Sequence, residues 1–235
     1  VPIGVPIRPG RAAELAREGV VTAPNIAAAA GLGAQAAIIA TDTGRHLSDS
    51  LEALDRGLDL LVEKPLAVNS QEARQLLEYS QKLGRKLYVG CVLRFSESLN
   101  SFRQLLPKVG AVHSVEVASR SYLPNWRPCR DYRTSYSASS FEGGVLRDLI
   151  HEIDYTAWLF GWPKTVNADL RNLGQLGIEA EETADLGWET LSGGSVSVRL
   201  DYLSRPPIRF MKALGALGTL TWNGVNSLVY LDIGD

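Results

Sequence analysis

Cysteine is scarce in this 235-residue chain, which holds only Cys91 and Cys129. Two thiols far apart offer neither a disulfide framework nor zinc-ligand spacing, and such usage fits a reducing cytoplasm. An excess of one charge is also lacking. With 24 basic against 26 acidic residues, a net charge of -2 and no long like-charge blocks, the chain has no electrostatic footprint for nucleic acid or an anionic membrane. A small-molecule partner is favoured instead. No apolar run has the length of a membrane span, and no basic stretch followed by an apolar one opens the chain as a signal would. The three histidines, His46, His113 and His151, stand too far apart to suggest metal ligation, so no metal is expected. Internal repeats and low-complexity tracts are absent. What is present is a 45% hydrophobic chain, enough for one large or two medium domains with real cores.

The first third alternates short apolar runs with amphipathic segments: "AAIIATDT", "RHLSDSLEALDRG", "LDLLVEKP", "SQEARQLLEYSQKLG" and "KLYVGCVL". Runs of this kind separated by helices are the sequence form of βαβ units and a doubly wound parallel sheet. Asn69 with Glu72 predicts a reciprocal helix cap, and Gly84 a left-handed cap at the other end. After a helix in "RFSESLNSFRQLLPKVG", strand patterns take over: "AVHSVEVASRSYL", "TVNADLRNL", "TADLGWETL", "SVSVRLDYL" and "RFMKALGALGTLTWNGVNSLVYLDI". Alternation such as "SVSVRLDYL" predicts a sheet with one covered and one wet face, with "SGG" and "NG" as hairpin turns. The predicted architecture is α/β: an incomplete Rossmann-type parallel domain over 1–93, then an α+β domain over 94–235 with a large, mainly antiparallel, open-faced sheet.

Residues 145–160 are expected to form one helix. At about 100° per residue, Leu146, Leu149, Ile150, Ile153, Ala157 and Phe160 share one arc, and Arg147, Asp148, His151, Glu152, Asp154 and Tyr155 the other. A solvated face explains the polar arc blandly. Against that stand Trp158 and Leu159 on the same arc, costly to leave in water, and His151 three residues from both Asp148 and Asp154, within side-chain reach on a helix. A carboxylate beside an imidazole suits a general base. Lys64 is the second candidate: the "VEKP" turn lies where a parallel strand ends, the place open α/β sheets hold ligands. An exposed lysine paired with Glu63 is the plainer alternative. In "ATDTGRH", Thr41, Thr43 and the first amides of a helix suit a phosphate or ribose; His46 is read either as a helix-start residue or as a ligand. His113 is read as structural. The loop from Tyr122 to Tyr136 carries Trp126, Arg127, Arg130, Tyr132 and Arg133, which fits stacking on a sugar or base and paired hydrogen bonds to carboxylate or phosphate, or equally a surface loop with its arginines in water.

"ATDTGRH", "VEKP" and "GGVLRDLIHEID", in that order and spacing, resemble the A-T-P-x-x-x-H, E-K-P and G-G-x-L-x-D-x-x-x-H-x-x-D marks of the Gfo/Idh/MocA family (glucose-fructose oxidoreductase, inositol dehydrogenase, rhizopine catabolism). The resemblance runs from about residue 10 to the end, and "SYLPNWRPCRDYRTSYSAS" resembles a branch found with sugar and nonulosonic acid genes. It implies an oxidoreductase that transfers hydride between NAD or NADP and a hydroxyl carbon of a sugar, cyclitol or nucleotide sugar. The substrate would lie between the parallel domain and the open sheet face. By the same resemblance Lys64 contacts substrate and nicotinamide, His151 is the acid/base, Asp148 its carboxylate partner and Asp154 a substrate-hydroxyl ligand. Thr41, Thr43, His46, Glu63, Pro65 and Arg94 join Lys64 around the cofactor; Tyr122, Trp126, Arg127 and Tyr132 join Asp154 around the substrate. A homodimer or homotetramer through the antiparallel sheet is implied as well. Competing readings are a non-catalytic cofactor or sugar sensor on the same fold, and an enzyme that oxidises transiently to cleave or epimerise a glycoside. Three features depart from the family pattern. Asp148 precedes His151 by three residues instead of four, Asp42 replaces a proline, and no G-x-G-x-x-G follows a strand. "VPIGV" is read as the first strand, with the glycine turn, first helix and part of the second strand expected outside the printed sequence.

Overall fold

The computed structural model describes residues 1–8 and 10–234. The chain divides after Gly90 into two compact units, close to the 93/94 boundary expected from the change of pattern.

In the first unit, β1 (Ile3–Gly4), α1 (Arg11–Arg17), β2 (Val21–Thr22), α2 (Ile26–Gly31), β3 (Ala36–Ile39), α3 (His46–Asp55), β4 (Asp59–Val62), α4 (Ser70–Lys82) and β5 (Leu87–Val89) follow one another. Every strand pair in it is parallel. The strands form two pieces, β1–β2 and β3–β4–β5. "VPIGV" is thus a strand, as expected, but it pairs with β2 in the smaller piece. A cavity of about 820 Å3 is lined by residues of both pieces, among them Ile3, Val5, Leu15 and Ala36 to Thr41. The core gathers Ile39, Leu54, Leu58, Leu60, Val62 and Leu76. The cap of α4 is as predicted: Asn69 Oδ1 accepts from Glu72 N at 2.9 Å, its Nδ2 donates to Glu72 Oε1 at 3.3 Å, and Gly84 takes φ +63°.

The second unit holds α5 (Glu97–Leu105), β6 (Val112–Arg120), α6 (Val145–Asp148), α7 (His151–Phe160), β7 (Asn167–Arg171), β8 (Thr183–Glu189), β9 (Ser195–Asp201), β10 (Ile208–Gly215), β11 (Gly218–Asn223) and β12 (Leu228–Ile233). Its seven strands run in the order β12-β11-β10-β6-β9-β8-β7. All pairs are antiparallel except β6 with β9, so the sheet is mixed. One face is covered, by α5 over β11 and β12, α7 over β6, and α6 over β8 and β9. The core beneath includes Phe102, Val117, Tyr155, Val198, Tyr202, Met211 and Trp222. The other face alternates acids and bases across β6 to β9, with Arg171–Asp169, Arg199–Asp185 and Arg120–Asp201 pairs beside a groove of about 610 Å3.

Residues 145–160 are two helices rather than one. Leu149, at φ -100° and ψ 27°, leaves helical geometry, and α7 starts afresh at His151. The division into arcs does not match burial: Glu152 and Tyr155, placed on the polar arc, are completely buried, whereas Leu146, Ile150 and Ile153, on the apolar arc, are only partly so. Among the described residues no helix is long and apolar enough to cross a membrane.

Candidate active site

Two neighbouring parallel strands of the first unit end side by side. Glu63 N donates to Ile39 O at 2.9 Å, so the last rung between β4 and β3 comes immediately before Lys64. Glu63 folds back to accept from Lys64 N at 3.3 Å, and its carboxylate lies against Gly90, where an added Cβ would meet Oε2 at 3.2 Å. Pro65 follows in the cis form and is buried. The chain leaving β3 turns through one short helical turn, Thr43–Arg45, into α3. Thr43 is 4% exposed, and Thr41 Oγ1 is buried without a hydrogen-bond partner. His46 opens α3 and is 1% exposed; its Nδ1 lies 2.9 Å from Pro65 O and its Nε2 3.0 Å from Thr41 O. Arg45 is tied to Asp49 by two bonds of 2.9 and 3.2 Å.

In the second unit the "GGVLRDLIHEID" segment is shaped by close approach. A Cβ on Gly143 would sit 2.1 Å from Tyr136 O, and one on Gly144, at φ +93°, 2.2 Å from Glu181 Oε1. Only glycine fits. The space admits the Glu181 carboxylate, which accepts from Leu146 N at 3.1 Å and satisfies one of the free amides that start α6. Asp148 ends α6, buried at 4% exposure, and its Oδ2 accepts from Tyr202 OH at 2.6 Å. Burial, then the charge and hydrogen bond of Asp148, push the Tyr202 phenol far up, which keeps it a neutral donor. His151, half-buried, is the first residue of α7.

Beyond His151, the helix is fastened by ion pairs. Glu152 Oε1 accepts from Arg209 Nε of β10 at 2.6 Å; burial disfavours the Arg209 cation, but the Glu152 charge and hydrogen bond outweigh it and its pKa is raised. Arg94, from the turn Val92–Phe95, grips Asp154 through two bonds of 2.9 and 2.6 Å, and that hydrogen bonding raises the Arg94 pKa. The two residues expected separately at cofactor and substrate are therefore partners of each other. Trp158 receives the Arg94 and Arg103 guanidiniums over its ring, at 5.9 and 4.7 Å.

Most rings of the 122–136 loop are engaged within the unit. Trp126 meets Tyr202 edge-on at 5.4 Å and donates to Ser121 Oγ at 2.8 Å. Tyr132 donates to Leu176 O at 3.0 Å beneath Arg133, Tyr122 lies under Arg205, and Arg127 rests on Tyr136. Tyr202 and Arg209 are not among the residues expected at the site from the sequence. Both carried a signal: Val196, Val198 and Leu200 place Tyr202 on the covered face by period two, and Arg209 shares the parity of Met211 and Ala213. A charge at a core position demands a buried partner.

Two family profiles match the chain: "Oxidoreductase family, NAD-binding Rossmann fold" over residues 8–91 and "GFO/IDH/MocA C-terminal domain" over 107–221. An inositol 2-dehydrogenase of Streptomyces avermitilis is 30% identical over 158 residues, 66% of this chain and 43% of that protein. A UDP-N-acetylglucosamine 3-dehydrogenase of Acidithiobacillus ferrooxidans is 27% identical over 176 residues, 74% of this chain and 50% of the other. Among solved structures, the WlbA dehydrogenase of Bordetella pertussis in complex with NADH and UDP-GlcNAcA superposes with a TM-score of 0.83 at 22% identity, over 95% of this chain and 66% of that one. The chain spans about two fifths of the length of the curated relatives it first matches, at 38%, 43% and 36%.

Proposed function

The chain belongs to the Gfo/Idh/MocA oxidoreductase family, and from that premise we propose that it serves hydride transfer between a nicotinamide dinucleotide and a hydroxyl carbon of a sugar, cyclitol or nucleotide sugar. The observation that carries this reading is the exit of β4. There Glu63, Lys64 and Pro65 stand at the carboxyl ends of adjacent parallel strands, where open α/β sheets hold ligands, and the buried Thr41 hydroxyl lacks a partner. A hydroxyl in that state, beside the amides of the Thr43–Arg45 turn, fits the ribose or phosphate oxygens of a dinucleotide. Thr41, Thr43, Glu63, Lys64 and Pro65 would hold it, and when bound its nicotinamide supplies the hydride acceptor or donor.

The remaining chemistry is proton handling by this chain. Lys64, in the first unit, carries an ammonium that would favour the ionised form of a substrate hydroxyl; His151, in the second, carries an imidazole of the kind that takes a proton during oxidation or returns it during reduction. Asp148, whose carboxylate accepts from Tyr202 OH, is assigned here as the carboxylate partner of the imidazole. The uncovered face of the seven-stranded sheet is the surface we assign to a homo-oligomer, where a symmetric dimer would set the same patch of both copies together.

Replacing Lys64 or His151 by alanine is expected to lower turnover about 100-fold or more while dinucleotide affinity changes far less. The measurement is nicotinamide absorbance across a panel of inositols, sugars and UDP-sugars with the full chain. Rates near those of the parent in both variants would sink the assignment.

A further inference from the structure

We infer that His46 is a positioning residue that clamps the Lys64-bearing turn, so that the direction of the ammonium is set from α3 as well as from β4. The inference rests on the reading of Lys64 given above. Its basis is geometric. The ring is 1% exposed, and each nitrogen faces a backbone carbonyl, Pro65 O at 2.9 Å and Thr41 O at 3.0 Å. No ring nitrogen is left for a ligand. Between β3 and β4 the last backbone rung runs from Glu63 N to Ile39 O. Beyond it the imidazole lies between the two exits, against Thr41 O on one and Pro65 O, one residue past Lys64, on the other. A protonated ring nitrogen donates to whichever carbonyl it faces, and burial strengthens that bond relative to one in water.

The ring is also anchored from behind. It is the first residue of α3, whose inner side, Ser50, Ala53 and Leu54, is fully or nearly fully buried, and α3 packs on β3, β4 and α4. A displacement of the Lys64 turn must therefore either break the Pro65 contact or drag α3 out of the core. Small misplacement of a group that meets substrate is costly to turnover even when binding is kept.

Hydrogen exchange read by mass spectrometry on the full chain tests the clamp without any substrate. In His46→Ala, the amides of Glu63 to Val68 are expected to exchange about ten-fold faster, while α2 and the middle of α4 keep their rates. His46→Gln, which retains one N–H donor group, is expected to recover part of the protection. Kinetics with NAD and either myo-inositol or UDP-N-acetylglucosamine then test positioning: kcat falls about ten-fold or more in His46→Ala while KM for NAD moves less than about two-fold. Unchanged exchange at Glu63 to Val68 overturns the inference. So does acceleration spread evenly through the first unit, the mark of a core residue alone, or a loosened turn with unaltered kcat. Should the parent chain turn over no member of the panel, the proposed reaction fails, and the exchange arm still decides for or against the clamp.

Discussion

The two units hold their candidate residues by different physics. In the first, Lys64 stands largely on backbone, a strand end and a rung to Ile39, with the His46 ring nitrogens 2.9 and 3.0 Å from the Pro65 and Thr41 carbonyls. In the second, the segment around His151 is held by ionisable side chains, Asp148 with Tyr202 and Glu152 with Arg209 in the interior and Arg94 with Asp154 partly exposed. Nearby, the fully buried Glu182 accepts from the amides of Leu173, Gln175 and Leu176. Backbone hydrogen bonds do not titrate and survive most side-chain changes. Buried charges hold firmly while paired and become liabilities when one partner is lost. Substitution and pH should therefore act unequally on the two units.

The largest contrast is expected at Glu152. Glu152→Ala leaves Arg209 without its counter-charge and should cost about 3–5 kcal/mol of stability. Adding Arg209→Met should recover part of that loss, as replacing a whole buried pair is milder than halving it. Denaturant unfolding of the single and double variants measures both; a single-variant loss within about 0.5 kcal/mol of the parent, the ordinary range for surface changes, would remove the contrast. Next comes Tyr202→Phe, which strips a buried carboxylate of a donor and is expected to cost about 1–3 kcal/mol. It also carries a pH signature. Burial first, then Asp148, raises the Tyr202 pKa from 10.0, and burial, then Glu152, raises that of Tyr155. A group with a raised folded-state pKa contributes stability that is whole below its unfolded value and is lost as the pH climbs through the folded one. The second unit should thus weaken above about pH 10, and less so in Tyr202→Phe, as followed by near-ultraviolet circular dichroism. The smallest effect belongs to the first unit. Asn69→Ala removes the α4 cap for about 1 kcal/mol, with no pH dependence between 5 and 9, and a larger or titrating loss would blur the distinction.

Features decided by neighbours in the chain were legible in advance. The alternation in "SVSVRLD" became β9, the Asn69–Glu72 and Gly84 caps stand where expected, and the "VEKP" turn sits at the end of a parallel strand. What escaped depends on distant partners. Glu152 fell on the polar arc with nothing nearby in sequence to mark it as fully buried, because Arg209, which compensates its charge, comes 57 residues later. The rings of the 122–136 loop looked available because their partners, Tyr202, Leu176 and Arg205, lie far along the chain. The parallel pairing of β6 with β9 joins strands separated by α6, α7, β7 and β8. Local periodicity encodes none of these encounters.

One consequence follows from β3. Its pairing is with β4 alone, it lies at the rim of its sheet among the described residues, and Ile38 there is 72% exposed. Four small or branched residues, Ala36 to Ile39, carry no charge or proline among them, the composition that leaves an edge strand unguarded against pairing with another chain. A single lysine at position 38 would supply the guard that edge strands elsewhere use.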